Sequence, residues 1–261
     1  MLIVAATPIG NLGDASPRLR EALASADIIV AEDTRVAKSL IRALDLTTHA
    51  RFISANEHSE SAGVDEIVMQ AISSTVVLIS DAGMPLVSDP GYLLVAAARV
   101  RNIPITVIPG PSAGLSALAV SGLPTDRFIH EGFIPKKGRT GYFESLATEP
   151  RTLIFFESPH RLAQSLGDMA QVFGGDRPAC VAREITKMFE EIAWGTLREL
   201  AERFSGSVKG EIVVVVGGAL DAVRALMSEG VKRSEACASV AKEWGIPKGE
   251  LYRASLGGDT E

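Results

Sequence analysis

Short runs of β-branched residues alternate with alanine- and leucine-rich amphipathic stretches through most of the chain, and this alternation restricts the possible folds more than any other feature. Such an order is typical of strands joined by helices in an α/β protein. In the first half, strands are predicted at residues 2–6, 28–31, 51–54, 75–80 and 105–108. Helices are predicted near residues 16–25, 34–44, 64–72, 91–101 and 112–121.

A second alternation follows residues 122–126, which have the composition of a linker. Its predicted strands are residues 127–133, 152–157, 179–185 and 211–217, and its predicted helices are residues 159–173 and 196–204. We therefore expect an N-terminal α/β domain over residues 1–122 and a second α/β domain over residues 123–219.

Residues 220–261 carry no strand signal and predict a small helical extension. Within them, residues 234–252 have the pattern helix, glycine turn, helix, which resembles a helix-turn-helix that places its second helix on nucleic acid. Between Lys232 and Arg253 there are five basic and three acidic residues, although the whole chain has a net charge of −6. The alternative is a helical pair that only caps the body.

Composition limits the class of protein. With 261 residues, 46% of them hydrophobic and 22% charged, the chain has enough apolar material for a folded core, which excludes a disordered or fibrous protein. Its negative charge gives no general attraction to nucleic acid, so any RNA binding has to be local. Cys180 and Cys237 match neither disulfide nor zinc spacings, and no metal is expected. No signal or membrane segment is recognised, which predicts a cytoplasmic protein.

Ligands of α/β proteins bind where the strands end, and several strands here lead into polar or glycine-rich loops. Residues 7–13 lack the G-x-G-x-x-G pattern, which disfavours a nicotinamide dinucleotide. Glu32, Asp33 and Arg35 follow the second strand. Helix capping by Asp33, with Arg35 paired locally, is the structural alternative to a functional role there. His58, one of four histidines, follows the third strand.

The fourth strand leads into residues 80–91, where two prolines and two glycines surround two carboxylates and two hydroxyls. This composition is expected where main-chain groups grip a small molecule. After the fifth strand, residues 110–114 match the G-x-S-x-G elbow of serine hydrolases. Such an enzyme needs an acid and then a histidine later in the chain, and no histidine follows His160. A helix capped by Ser112 explains the motif equally well.

Charged residues also follow the strands of the second half. Lys136, Lys137 and Arg139 lie in a glycine- and proline-rich segment that is suited to phosphate groups, or is simply a solvated loop. Residues 157–161 and 183–187 are again charged, and local ion pairing is the alternative to a functional role for both segments.

Six ordered motifs now define a resemblance that covers nearly the whole chain. They are ATPIGNL (6–12), AEDTR (31–35), SDAGMP (80–85), VIPGPSA (107–113), FFESPHR (155–161) and AREITK (182–187). In order and spacing they resemble the bacterial 16S rRNA (cytidine-2'-O)-methyltransferases of the tetrapyrrole methylase superfamily. The resemblance implies two α/β domains with a cofactor cleft between them, S-adenosylmethionine as cofactor, and a homodimer that acts on 16S rRNA, within the small ribosomal subunit.

Carried over position by position, the resemblance implies a set of cofactor residues: Pro8, Asp81, Gly83, Met84, Pro111, Ser112, Ala113 and Phe156. The superfamily has Gly-Asp-Pro in its cofactor loop where this chain has Asp-Ala-Gly-Met-Pro, a variant that fits the rRNA branch.

Methylation of a ribose 2'-hydroxyl requires that its proton be removed or its oxygen be oriented. The candidates for this task are Asp33, His58, Glu184 and Lys187, and Lys187 qualifies only if its pKa is lowered by burial or by neighbouring positive charge. Arg35, Lys136, Lys137, Arg139 and the helical extension are expected to hold RNA phosphates. The alternatives are a methyltransferase of the same fold that acts on a tetrapyrrole or another small molecule, and a nucleic-acid-binding protein without catalysis.

Overall fold

The computed structural model describes residues 1–55, 60–244 and 246–256, and the chain divides into two compact units, Met1–Ala113 and Gly114–Glu261. The sequence suggests a boundary at residues 122–123, whereas the units divide near the start of the fifth helix. That helix lies with the second unit because its Gly114 faces His130 and because Trp194 Nε1 donates a hydrogen bond to the carbonyl of Val120. No described helix is long and apolar enough to cross a membrane.

The first unit is a five-stranded parallel sheet in the order β3-β2-β4-β1-β5. Its strands are β1 (Leu2–Ala5), β2 (Ile28–Ala31), β3 (Arg51–Ser54), β4 (Val76–Ile79) and β5 (Ile105–Ile108). Its helices are α1 (Pro17–Ser25), α2 (Thr34–Ala43), α3 (Glu60–Gln70) and α4 (Tyr92–Val100). Every predicted strand and helix of this half is present, with ends that differ by at most four residues.

Both faces of this sheet are covered, which explains why its central strands are uniformly apolar. Helices α1 and α2 pack on one face, where Leu23 and Ile41 meet Ile29 and Val77. Helices α3 and α4 pack on the other. Helix α1 begins as the sequence predicts, since the Ser16 side chain accepts a hydrogen bond from Leu19 N and Pro17 takes the first helical position.

The second unit contains a mixed five-stranded sheet in the order β6-β7-β10-β8-β9. Strands β6 and β7 are parallel, and the other neighbours are antiparallel. The strands are β6 (Phe128–Phe133), β7 (Thr152–Glu157), β8 (Pro178–Arg183), β9 (Glu191–Thr196) and β10 (Ile212–Val216). The helices associated with them are α5 (Ala113–Val120), α6 (Arg139–Leu146), α7 (Leu162–Phe173) and α8 (Leu197–Arg203). Helices α6, α7 and α8 cover one face with a core that includes Phe143, Phe155 and Leu166.

Two of these elements were not predicted from the sequence. Strand β9 is an edge strand of mixed composition, with the small residues Ala193 and Gly195 beside the exposed Trp194. Helix α6 is short, contains Gly141 and begins directly after Gly138, whose φ of 69° belongs to a turn. The segment therefore has the glycine content of a loop, and its helix is stabilised by tertiary packing of Phe143.

The C-terminal extension is helical, as predicted. It consists of α9 (Ala219–Ser228), α10 (Arg233–Trp244) and α11 (Lys248–Leu256), and the glycine of the predicted turn, Gly245, lies outside the described residues. Cys237 is buried in the core of this extension and Cys180 is buried in the sheet, and neither forms a disulfide.

Candidate functional site

The polar loops of the first unit meet at the carboxyl edge of its sheet, next to β1 and β4. These neighbouring strands lead to helices on opposite faces, α1 on one side and α4 on the other. In parallel sheets a crevice opens where the connections diverge in this way, and ligands bind there. The sheet topology therefore indicates the loops after β1 and β4 as the floor of a binding site.

These two loops are joined by main-chain hydrogen bonds. Thr7 N donates to Gly83 O over 2.9 Å, and Gly83 N donates to Thr7 O over 3.2 Å. Gly83 has a φ of +86°, and a Cβ atom at this position would lie 3.3 Å from Ile9 Cγ2. A side chain is therefore disfavoured here both by conformation and by space.

The loop after β5 also lies close to the loop after β1. A Cβ atom on Gly110 would approach Ala6 Cβ to 2.9 Å, and Ala6 N donates to Ile108 O over 3.0 Å. The structure thus brings to one edge all the cofactor residues that the resemblance implies for the first unit. They are Pro8, Asp81, Gly83, Met84, Pro111, Ser112 and Ala113.

Three carboxylates lie around this edge, and none of them forms an ion pair within the described part of the chain. They are Glu32 after β2, and Asp81 and Asp89 after β4. Burial raises the pKa of Glu32, and the charges of Asp81 and Asp89 raise it further. Burial also raises the pKa of Asp89, although a hydrogen bond from Ser80 opposes the effect. This surplus of negative charge favours a cationic ligand.

Asp33 and Arg35 are engaged with each other. Asp33 is the N-cap of α2, where its Oδ1 accepts a hydrogen bond from Arg35 N, and its Oδ2 lies 2.6 Å from Arg35 Nη2. Hydrogen bonds from Arg35 lower the pKa of Asp33 to about 2. The structural alternative considered for this segment is therefore observed. Arg35 is 89% exposed at its side chain and stays accessible to solvent.

His58 falls in the segment 56–59, outside the described residues. Glu32 and Asp89, by contrast, lie in motifs that the sequence draws attention to, but they were not selected as site residues. What distinguishes them is that both lie close to Asp81. Glu32 and Asp81 follow different strands, so their proximity is apparent only in the folded chain.

In the second unit, Phe156 lies near the end of β7 in an aromatic cluster. Its ring centroid is 4.9 Å from that of His130 and 5.3 Å from that of Phe133. Burial lowers the pKa of His130, so this side chain is neutral at physiological pH. Phe133 is 63% exposed, which is unusual for a phenylalanine at the end of a strand. Neither His130 nor Phe133 was selected from the sequence.

Glu184 and Lys187 form an ion-pair cluster with Glu211, the residue before β10. Lys187 Nζ lies 2.9 Å from Glu184 Oε1 and 2.8 Å from Glu211 Oε2, and Glu211 N donates to Glu184 Oε1. Burial opposes the charge of Lys187, but its hydrogen bonds to Glu211 and Glu184 outweigh this effect and raise its pKa. The hydrogen bond from Lys187 lowers the pKa of Glu184. The pKa of Lys187 is therefore raised, whereas a lysine that acts as a general base requires a lowered pKa.

The basic segment after β6 divides into two parts. Lys136 and Lys137 are exposed in the loop, but Arg139 is the first residue of α6 and forms an ion pair with Asp168 over 2.9 Å. The interpretation of Arg139 as a loop residue is wrong, because the loop ends at Gly138. With its side chain 10% exposed, Arg139 is engaged inside the unit.

Glu157, which follows the aromatic residues of β7, also has a structural role. Its carboxylate is buried, lies 2.6 Å from Arg161 Nη2, and accepts hydrogen bonds from Ser158 N and the Ser165 hydroxyl. This local ion pair is the alternative that the sequence left open. Among the described residues, no group of histidine, cysteine, aspartate and glutamate side chains is arranged to hold a metal ion.

The chain matches a known protein family and is similar to several named proteins. The family model described as Tetrapyrrole (Corrin/Porphyrin) Methylases matches residues 1–201. A protein named ribosomal RNA small subunit methyltransferase I from Mycobacterium tuberculosis is 44% identical, with 98% of this chain and 94% of that protein aligned. Proteins of the same name from Xylella fastidiosa and Mesorhizobium japonicum are 43% and 45% identical, and the alignments cover 96% and 98% of this chain and 97% and 91% of those proteins.

Solved structures of similar fold include methyltransferases. The uroporphyrin-III-C-methyltransferase of Thermus thermophilus aligns with a TM-score of 0.57 at 18% identity, over 83% of this chain and 93% of that one. The methyltransferase CobJ aligns with a TM-score of 0.61 at 20% identity, over 84% and 94%. Diphthine synthase aligns with a TM-score of 0.63 at 16% identity, over 83% and 89%. Together with the two sheets and the helical extension, these matches confirm the predicted fold class.

Proposed function

The chain belongs to the tetrapyrrole methylase family, and from this premise we propose that it is an S-adenosylmethionine-dependent methyltransferase of small-subunit ribosomal RNA. The observation that carries the proposal is the 44% identity to a ribosomal RNA small subunit methyltransferase I over 98% of the chain. We further propose that the acceptor is the ribose 2'-oxygen of a cytidine in the decoding centre of 16S rRNA, in keeping with the six motifs.

The first unit suits this cofactor chemically. S-adenosylmethionine carries a positively charged sulfonium and, when bound, supplies an electrophilic methyl group. The carboxylates of Glu32, Asp81 and Asp89, which form no ion pair within the described residues, provide a negative environment at the carboxyl edge of the sheet. A cation in this environment lowers the repulsion among the three carboxylates and thereby lowers the pKa of Glu32.

The loops around these carboxylates supply main-chain contacts and a fixed shape. The hydrogen bonds between Thr7 and Gly83 hold the loops after β1 and β4 together, so the groups that line the crevice are arranged before the cofactor binds. Such preorganisation lowers the entropic cost of positioning, which contributes about 7–11 kcal/mol in well-oriented reactions. We propose that Pro8, Asp81, Gly83, Met84 and the segment 111–113 contact the cofactor. The role of Phe156 in the second unit is proposed from the resemblance alone.

Removal of the hydroxyl proton needs an acceptor that is not already neutralised. Asp33, Glu184 and Lys187 are poor acceptors, because each is held charged by an ionic partner. We propose instead that Glu32 fulfils this role, because no ion pair within the described residues holds its charge, and because burial, the largest cause of its raised pKa, does not depend on the charges that a bound cation would offset. His58 remains a second candidate on the same edge of the sequence-predicted sheet.

RNA phosphates are proposed to contact the exposed cations. Arg35, Lys136 and Lys137 are accessible, whereas Arg139 is already paired with Asp168. The exposed basic residues of the C-terminal extension, which include Lys232, Lys242 and Arg253, are proposed to add a second contact region. We also propose that the protein acts in the cytoplasm and that its substrate is the assembled small subunit. We propose that it is a homodimer, which light scattering tests.

Calorimetry with S-adenosylmethionine tests the cofactor. We expect saturable binding by the wild type. At a pH at which Glu32 is partly protonated, we expect proton release on binding that disappears in Glu32→Gln, because the cation lowers the pKa of Glu32. Titrations in two buffers of different ionisation enthalpy measure the released protons. Asp33→Asn is the matched control, since Asp33 is ionised before and after binding. No binding by the wild type would refute the assignment.

Methyl transfer to undermethylated small subunits tests the substrate. Mapping of the product should find the methyl group on a ribose 2'-oxygen of a cytidine in 16S rRNA. A methyl group on a base would retain the enzyme class and refute the proposed acceptor atom. Transfer only to a tetrapyrrole or another small molecule would favour the same-fold alternative, and binding of RNA without transfer would favour the non-catalytic one.

A further inference from the structure

The C-terminal extension has its own apolar core, which does not continue into the core of the second unit's sheet. Leu220, Val223, Val240 and Leu251 are among the buried residues that α9, α10 and α11 share. The core of the sheet is formed by other residues, which come from its strands and from α6, α7 and α8. The orientation of the extension on the unit is therefore set by the contacts at the joint between these two cores.

This joint contains a cavity of about 670 Å³. The end of α7 and the turn to β8 line one side of it, and α9 and α10 line the other. A cavity of this size means that apolar packing does not by itself fix the angle of the extension. The contacts that cross the joint consequently carry much of the orientation.

Arg177 lines this cavity and crosses the joint. Its guanidinium carbon lies 4.8 Å from the ring centroid of Phe173, at the end of α7, and 4.4 Å from that of Trp244, the last residue of α10. The side chain is thus held between one ring from the body and one from the extension. The ring contact with Trp244 links α10 directly to the turn before β8.

The guanidinium is also fixed by main-chain oxygens. Its Nε donates to Gly217 O over 2.6 Å, and its two terminal nitrogens donate to Ala147 O and Glu149 O over 3.3 Å. Arg177 is 2% exposed. Burial lowers its pKa to about 10, against the charges of Asp221 and Glu149, so the group is cationic at neutral pH. A desolvated cation on an aromatic face binds more strongly than an exposed one.

We propose that Arg177 is a positioning residue for the RNA-binding extension, and that it acts by holding Trp244. The inference rests on the proposed function, since it assigns a purpose to the orientation of α10 and α11. These helices carry the exposed cations Lys242, Lys248 and Arg253. Phosphate contacts depend on the position of each cation relative to the RNA backbone, and a change in the angle of the extension misaligns them together.

The test replaces Trp244, which is easier to change than the buried Arg177. In Trp244→Leu the aromatic face is lost, and we expect the KM for small subunits to rise about tenfold, as loss of a partly buried cation–π contact predicts. The kcat and the dissociation constant for S-adenosylmethionine should stay within about twofold of the wild-type values. Trp244→Phe retains an aromatic face and should restore most of the affinity for subunits.

Trp194→Leu is the matched control, because Trp194 is the other tryptophan of the chain and contacts Val120 instead of the extension. Hydrogen exchange of the free protein provides a readout that does not depend on RNA. The amides of α10 should exchange faster in Trp244→Leu and in Arg177→Lys, while those of the sheet should be unchanged.

Two results would overturn the proposal: an unchanged KM for subunits in Trp244→Leu, or a loss of cofactor affinity as large as the loss of subunit affinity. If the wild type fails to methylate subunits, the proposed function is refuted. The exchange experiment then still decides whether Arg177 orders α10.

Discussion

Asp221 predicts an unusual dependence of stability on pH. It lies in the first turn of α9, where its Oδ2 accepts a hydrogen bond from Gly218 N over 2.6 Å, and it is 8% exposed. Burial raises its pKa from 3.8 to about 6, although the hydrogen bond from Gly218 and the charges of Arg224 and Arg177 oppose the shift. The folded protein therefore retains a proton on Asp221 at pH values at which the unfolded chain has lost it.

The sign of the effect follows from this difference. Between pH 3.8 and about 6 the folded state binds more protons than the unfolded state, so the contribution of Asp221 to the free energy of unfolding decreases as pH rises. Each pH unit between the two pKa values corresponds to about 1.4 kcal/mol, which gives a decrease of about 3 kcal/mol across the window. Above this window the free energy of unfolding is lowered by the whole of this amount.

Asp221→Asn removes this dependence and retains an oxygen that accepts the hydrogen bond from Gly218. The free energy of unfolding of the variant, minus that of the wild type, should therefore rise by about 3 kcal/mol between about pH 4 and about pH 8. Carboxylates remote from Asp221 titrate equally in both proteins and cancel from the difference. Urea unfolding followed by tryptophan emission is a suitable assay, because both tryptophans of the chain, Trp194 and Trp244, belong to the second unit.

Asp126→Asn is a control of opposite sign. The hydrogen bond from Arg224 lowers the pKa of Asp126, so its contribution to stability is present at neutral pH and is lost as pH falls through the lowered pKa. The Asp126→Asn variant should be destabilised relative to the wild type at neutral pH and should approach it in acid. Parallel pH profiles for the wild type and Asp221→Asn would refute the reasoning on burial.

Further substitutions test the crevice and the buried charges. Gly83→Ala places a side chain at a φ of +86° and should weaken binding of S-adenosylmethionine by about 1–2 kcal/mol, measured by calorimetry, whereas Gly167→Ala in open space on α7 should raise stability by about 1 kcal/mol. Arg161→Met leaves the buried carboxylate of Glu157 without its cation and should lower the free energy of urea unfolding by about 3–5 kcal/mol. Glu32→Gln should lower kcat and remove the fall in kcat that the wild type shows as pH decreases through the pKa that Glu32 has in the cofactor complex.

The first sheet was predictable because its strands are buried on both faces. All four residues of β2 and all four of β4 are buried, and such strands appear in a sequence as continuous apolar runs. The second sheet was less predictable, since β9 is an edge strand whose burial varies from residue to residue. Its pairing with β8 depends on the fold of the whole unit, which no local pattern contains.

The candidate site was predictable in position but not in chemistry. The rule that ligands bind at the ends of parallel strands identified the loops that contain Thr7, Asp81 and Ser112. Whether a carboxylate there is a base depends on its partners. Asp33 is neutralised by a neighbour two residues away, whereas the pKa of Glu32 is raised by burial and by Asp81, which follows another strand. The second kind of contact exists only in the folded chain.

A similar distinction separates three arginines of the second unit from the two lysines of the loop after β6, and it bears on the expected mode of RNA binding. Arg139, Arg161 and Arg177 are committed to ion pairs, main-chain oxygens or aromatic rings inside the second unit. Lys136 and Lys137, by contrast, are exposed in the loop after β6. A flexible ammonium binds phosphate as a point charge and reads no base, so contacts of this kind position the RNA without specifying its sequence. Selection of a single nucleotide must then come from the shape of the ribosomal substrate and from the site at which the methyl group is transferred.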